Sequence, residues 1–192
     1  MTAPNASARV NVLSVFVCPS DVSKDTWTVV KRDTLGNPLA TICDIASANY
    51  VGVFGVTEPG VDGEGMFFRD SKIAIRDVTD GTSTTLLVGE RSKTWCNATW
   101  VGAVTDASLF PPPGSPALPT VQNASGMVLG HTSEGPPSGS GLECNDFSSL
   151  HSMGANFLFA DGHVGFVSSS IDRATFNALA TRAGGETMGD DL

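Results

Sequence analysis

The sequence predicts a β-rich globular fold in which long loops separate short strands and a C-terminal hairpin is followed by one short helix. Three observations carry this. A chain of 192 residues, 41% hydrophobic and 16% charged, can bury a core of its own. Its 21 glycines and 11 prolines favour turns and loops over long helices. The stretch "NFLFADGHVGFV" (156–167) sets two apolar runs around Asp161-Gly162, a strong short-range hairpin signal.

Taken in order, "VNVLSVFVCPSD" (10–21) reads as a strand ending at a Cys-Pro-Ser-Asp turn. "NYVGVFGV" (49–56) reads as another, with Gly52 and Gly55 marking bulges or close backbone approach. Further on, Ile73 and Ile75 alternate as on a half-buried strand, Asp80-Gly81 makes a turn, and Leu86-Leu87-Val88 is a buried run. "TWCNATWVGAV" (94–104) continues the β pattern. "FPPPGSPALP" (110–119) cannot lie inside a sheet, because proline lacks the ladder donor. With 131–146 it makes two long loops, which in compact domains are commonly functional or interfacial.

In the hairpin a two-residue type I′ turn sets Ala160 opposite His163, Phe159 opposite Val164 and Phe157 opposite Phe166. Phe157, Phe159, Val164 and Phe166 then share the core face, while Leu158, Ala160, His163 and Gly165 take the other. "SIDRATFNALATRAGGE" (170–186) follows as the helix. Asp172 is its N-cap, Ile171 and Phe176 a hydrophobic staple, and Phe176, Leu179, Ala180 and Ala183 its apolar stripe. Arg182 suits the C-terminal end of the dipole, and Gly184-Gly185 stop the helix.

Composition narrows the function classes. The net charge is −9 and the 11 basic residues are scattered, so a nucleic-acid backbone or an anionic lipid surface is an unsuitable partner. No apolar run approaches the roughly 18 residues that span a membrane, and "MTAPNASARV" has neither a basic head nor an apolar core. The chain is therefore read as cytosolic or as a fragment whose export segment is missing. None of Cys18, Cys43, Cys96 and Cys144 sits in a C-x-x-C pair, which gives a zinc site little support. Two disulfides, with neighbour pairing Cys18–Cys43 and Cys96–Cys144 preferred, and four buried free thiols both remain open at this point.

His151, nine residues and Asp161-Gly162, together with "VFVCPSD", "ANYVGVFG", "GMFFRDSKIAIRDVTDGTSTTLLVGERS" and "WVGAV", resemble the prepilin-type processing-associated His-X9-Asp-Gly domain family. That family, domain of unknown function 1559, is pilin-like and abundant in planctomycete-type bacteria. The likeness runs from about Val15 to Glu186. It implies an α+β pilin or pseudopilin head, an antiparallel sheet on a helix, in a single domain over 1–192 with flexible ends at 1–9 and 187–192. It also implies export to the periplasm or cell surface, a precursor anchored in the inner membrane by an N-terminal apolar helix absent here, and disulfides of unspecified pairing.

Several side chains invite chemistry. His151 and Asp161 could form a dyad in which a carboxylate orients a base, but no strained turn presents Ser148, Ser149 or Ser152 as a nucleophile. Asp161-Gly162 is read as turn chemistry and His151 as a tie from the preceding loop to the hairpin. Pseudopilin heads carry calcium in a C-terminal loop, so Glu143, Asn145, Asp146 and Asp161 are candidate ligands, the 143–146 loop first. Asp77 and Asp80 are read as turn residues. Glu90 is read as a rim charge that pairs with Arg91 or Arg76. Trp27, Trp95 and Trp100 could stack on sugar rings, though core packing is the commoner fate of tryptophan.

The expected function is assembly rather than catalysis: a head in a type IV pilin-like or type II secretion pseudopilin filament, needing no cofactor, with other subunits as partners. The alternative is an adhesion module that binds a polysaccharide or another solute.

Overall fold

The computed structural model describes residues 5–21 and 25–186. The expected acidic tail at 187–192 lies outside the described residues. The strands described are β1 (Thr26–Arg32), β2 (Pro38–Ala46), β3 (Tyr50–Gly55), β4 (Leu86–Glu90), β5 (Ser108–Leu109), β6 (Gln122–Asn123), β7 (Leu129–His131), β8 (Gly154–Phe159) and β9 (Val164–Ser168). One α-helix, α1 (Arg173–Ala180), follows them. A four-stranded sheet runs β2-β1-β5-β6 and a five-stranded sheet β7-β3-β4-β8-β9. The α+β class therefore holds, with one addition: β7 pairs with β3 in parallel, so the larger sheet is mixed.

The larger sheet has two unlike faces. On the core face Val51, Gly89 and Phe157 line up across β3, β4 and β8, and Ala155 pairs with Val167. The rings of Phe147, Phe157 and Phe176 meet edge-to-face there, with centroids 5.0 to 6.3 Å apart. Helix α1 covers this face with buried Phe176, Leu179 and Ala180. A Cβ on Gly89 would strike the rings of Phe147 and Phe157, which is why the strand carries glycine at that point. On the outer face Leu129, Gly52, Val88, Leu158 and Val164 form one row across all five strands.

The helix begins as its sequence requires: the Asp172 carboxylate accepts from the Thr175 N–H, and Ile171 packs against the core that holds Phe176. It stops at Ala180, earlier than the glycine pair suggests. The Thr79 and Asp80 N–H groups donate to the Arg182 carbonyl, and the Arg182 N–H donates to the Glu64 carbonyl, which draws the chain out of the helix. Ala183 is exposed as a result.

Other expectations need correction. The hairpin register differs by one residue: Leu158 faces Val164, Phe157 faces Gly165 and Asn156 faces Phe166. Ala160, Asp161 and Gly162 form a three-residue loop closed by the Gly162 N–H on the Phe159 carbonyl, and of the three only Gly162 has positive φ, at 95°. A shift of one turns every β9 side chain over. Val164 and Phe166 are consequently 68% and 52% exposed, and Val167 is buried instead.

Residues 10–21 form no strand, only a 3-10 turn at Ser14–Phe16, and Ile75 lies in a second such turn at Ile75–Asp77, 60% exposed. In 94–104 only Ala98 makes a β-bridge, to Ala48. The β1–β2 hairpin, which pairs Thr26 with Ala46 and Arg32 with Pro38, has no counterpart in the sequence reading.

Cys96 and Cys144 form a disulfide with Cα atoms 5.1 Å apart, while Cys18 and Cys43 are free and buried. They stay apart because Cys43 lies in the core of the smaller sheet and Cys18 in the segment that crosses the end of the larger one. Replacing Cys96 and Cys144 together by alanine should lower the unfolding free energy by about 2–5 kcal/mol, read from guanidinium denaturation.

Candidate functional site

The hairpin turn is self-contained. The Asp161 carboxylate accepts from the His163 N–H at 3.0 Å and lies 2.7 Å from His163 Nδ1. These bonds, backbone first, hold the Asp161 pKa below the usual carboxylate range. His163 stacks on Phe159 at 4.2 Å between ring centroids. Asp161 is thus committed to its own turn and His151 makes its contacts elsewhere.

His151 sits where three separate segments meet. Its Nε2 lies 3.4 Å from Glu90 Oε1 at the end of β4 and 3.6 Å from Cys18 Sγ, 133 positions away in the chain. The tie therefore runs to β4 and the N-terminal segment, not to the hairpin turn. Glu90 is only 3% exposed, against the expectation of a rim charge, and its other oxygen accepts from the Asn156 N–H at 2.7 Å and from Asn156 Nδ2 at 3.1 Å. Arg76 instead faces Asp77 on the surface. The Cys18 N–H donates to Asn49 Oδ1, and Asn49 Nδ2 donates in turn to Asp21 Oδ2. The Ser149 hydroxyl accepts from the His151 N–H. Tyr50 lies opposite Glu90 in the ladder, and burial pushes its phenol pKa up, with Cys18 and Glu90 adding to the effect.

The chemistry open to this trio is limited by its geometry. A relay of nucleophile, base and carboxylate uses the two imidazole nitrogens separately. Here sulfur and carboxylate oxygen meet the same nitrogen, so the trio is not such a relay. Cys18, Glu90 and His151 instead bring three metal-ligating atoms within 4.8 Å of one another.

Next to Glu90 in the chain, Arg91 is fully buried and points into the molecule. Its guanidinium donates to the carbonyls of Asp146 at 3.0 Å, Leu129 at 2.8 Å and Asn145 at 2.7 Å, and also to that of Gly126. Burial pulls its pKa down to about 10, which the Asp146 charge partly opposes. Asp146, 3% exposed, is pushed up to about 6 by burial, against the pull of His131, of its backbone bond with Glu143 and of Arg91. Fully buried His131 places Nε2 3.5 Å from Asp146 Oδ1 and 3.5 Å from Glu58 Oε1.

Of the calcium candidates, Asn145 and Asp146 gather at this second cluster, Asn145 Nδ2 donating to Glu58 Oε2 at 2.5 Å. Glu143 joins through Gln122, whose amide donates to its carboxylate, while Asp161 lies in the hairpin turn, bonded to His163. Glu58, His131 and Glu134 form the closer donor group, and the imidazole departs from the all-oxygen shell calcium prefers. Asp77 and Asp80 serve the backbone: Asp77 accepts from the Ala74 N–H, and Asp80 from the N–H groups of Gly184 and Gly185.

The tryptophans are half-buried and separately anchored. Trp27 Nε1 donates to the Ala98 carbonyl, Trp100 Nε1 to that of Asn11, and the Trp95 carbonyl accepts from the Ser115 hydroxyl. Trp100 alone of the three lines the apolar cleft on the outer sheet face, stacked on Phe16. Sequence reasoning missed Glu90, Glu58, His131 and Glu134 as site residues. No local pattern marks them, because each group is assembled from segments far apart in the chain.

Residues 1–174 match the model of a family described as proteins of unknown function, DUF1559. No curated protein and no solved structure matches the chain.

Two stability measurements probe the buried charges. Arg91→Met removes the donor to four carbonyls, three of them in fully buried bonds, and should lower the unfolding free energy by about 3–5 kcal/mol in urea titration. Asp146 holds a proton in the fold that the unfolded chain releases, so its contribution is complete below about pH 4 and is lost as pH rises through about 6. Asp146→Asn should therefore gain stability relative to the parent chain between pH 4 and pH 7, by up to about 3 kcal/mol, with thermal melts at both pH values as the check.

Proposed function

We propose that this chain, which belongs to the DUF1559 family of proteins of unknown function, is a structural subunit rather than a catalyst. It is the folded head of an exported pilin-like protein that assembles into a cell-surface or secretion-system filament. One observation carries this reading: the apolar outer face of the five-stranded sheet. The row Leu129, Gly52, Val88, Leu158 and Val164 crosses the sheet, and Phe16, Phe67, Trp100 and Phe166 flank it. A half-buried apolar row rimmed by exposed Val164, Phe166, Phe67 and Phe16, on a chain of net charge −9, calls for a cover.

The proposed cover is an apolar helix of the same precursor, laid over this face as α1 lies over the other. The N-terminal segment reaches the sheet beside the band, where Phe16 stacks on Trp100 at 6.3 Å and its carbonyl accepts from the Asn49 N–H. No helix among the described residues is long and apolar enough to cross a membrane, so such a helix would be supplied from outside them. The Cys96–Cys144 disulfide suits an oxidising compartment, in keeping with export.

Cells that make the full-length precursor provide the test. Antibody to the head should label filaments sheared from the cell surface. Val164→Asp combined with Phe166→Asp should change head stability by less than about 0.5 kcal/mol per site, because both positions are exposed, yet remove the subunit from the sheared fraction. Label confined to the cytosol, or a double variant incorporated as well as the parent, would count against the proposal.

A further inference from the structure

We infer that Cys18, Glu90 and His151 are the protein ligands of a divalent transition-metal site of zinc type, with a fourth coordination position open on the side of His151. Thiolate, imidazole and carboxylate are the ligand classes that zinc takes. Their spacing fits as well. Tetrahedral geometry with ordinary zinc–ligand bond lengths sets sulfur and nitrogen about 3.6 Å apart, and nitrogen and oxygen about 3.3 Å apart. The observed separations are 3.6 Å from Cys18 Sγ to His151 Nε2 and 3.4 Å from His151 Nε2 to Glu90 Oε1.

The arrangement points the same way. The thiol and the carboxylate converge on one imidazole nitrogen, which offers them a single proton or a single lone pair. A cation between the three atoms serves all of them. The surroundings already hold each ligand in place, as supporting hydrogen bonds do at metal sites. Asn156 takes one Glu90 oxygen through its N–H and its side chain, which leaves Oε1 turned to His151. Asn49 fixes the Cys18 backbone, and Ser149 that of His151.

Access is one-sided: Glu90 is 3% exposed and Cys18 8%, whereas the His151 side chain is 33% exposed. The metal would pin the N-terminal segment that carries Cys18 to the end of β4. The Glu58–His131–Glu134 group has no sulfur, and the Glu58 side chain is 56% exposed, so it is the weaker candidate for the same ion. The site neither requires the filament role nor is tested by it.

Cobalt(II), which takes zinc's place and reports thiolate ligation by a near-ultraviolet charge-transfer band, is the probe. The purified metal-free chain, kept under argon, should bind one equivalent with that band, and zinc(II) should abolish the band by displacement. Cys18→Ser should lose it, and His151→Ala should bind cobalt at least about tenfold more weakly. Zinc(II) should raise the melting temperature of the parent chain and not that of Cys18→Ser. A parent chain of native circular dichroism that gives no band overturns the assignment without recourse to any variant. So does a band that persists in Cys18→Ser, which would report Cys43. Cobalt bound without the band and lost in His131→Ala would place the metal at the second cluster and equally refute the site.

Discussion

The buried guanidinium of Arg91 is the contact around which the molecule is organised. It sits at the end of β4 with no exposure to solvent, and its donors reach the turn before β7 and the loop that carries Asn145 and Asp146. The carbonyls of Gly126, Asn145 and Asp146 lie outside the strands, so there a single side chain supplies what a ladder supplies elsewhere, while Leu129 opens β7. The Cys96–Cys144 disulfide closes on the same loop from its other side. The charge is expensive to bury, which is visible in the depressed Arg91 pKa, and nearby Asp146 compensates it only in part. The loop that carries Asn145 and Asp146 becomes an ordered part of the fold through this arrangement, and β7, which begins at Leu129, is held alongside β3 in parallel.

With the interior so fixed, the sheet divides its labour between faces. Glycine on the core face at Gly89 and Gly130 lets the Phe147 ring lie directly on the strands, and α1 closes over it. The outer face carries the apolar row, with Phe67 lying over Gly52 and Phe16 and Trp100 beside it. Two groups of titratable side chains gather at strand ends: His151 with Glu90 and Cys18, where Glu90 lies two residues along β4 from outer-face Val88 and pairs with Tyr50, and His131 with Asp146 and Glu58.

How much of this the sequence makes legible depends on the range of the interaction. The start of helix α1, with its Asp172 cap and Ile171 staple, is written within a few residues and is read correctly, whereas its end at Ala180 is set by long-range bonds of Arg182 and is not. Strand β3 and the run Leu86-Leu87-Val88 follow from local hydrophobicity. The hairpin exists as read, but its register turns on whether two or three residues close the loop, and Asp-Gly permits both. Segment 10–21 has the composition of a strand but finds no partner for its backbone in either sheet, so it crosses the sheet's end as turns. The absence of a C-x-x-C pair argues against zinc only for ligands close in the chain, and Cys18 and His151 are 133 positions apart.

The spacing of His151 from Asp161-Gly162 has its own physical meaning. Between them runs β8, Gly154–Phe159, a six-residue strand about 20 Å long at ordinary rise. The two ends of the motif therefore lie at opposite ends of one strand and cannot act on one substrate atom. Asp161-Gly162 closes the loop that sets β9 against β8, and that register decides which β9 residues are buried. At the other end the chain enters β8 from His151, and Asn156 inside the strand grips the carboxylate that His151 faces. A fixed count of residues between histidine and turn is then what a strand of fixed length demands. Lengthening β8 by one residue would turn either the Asn156 contact or the hairpin pairing to the wrong face, because side chains alternate along a strand. The constraint joins turn, strand and histidine into one unit without any contact between its two ends.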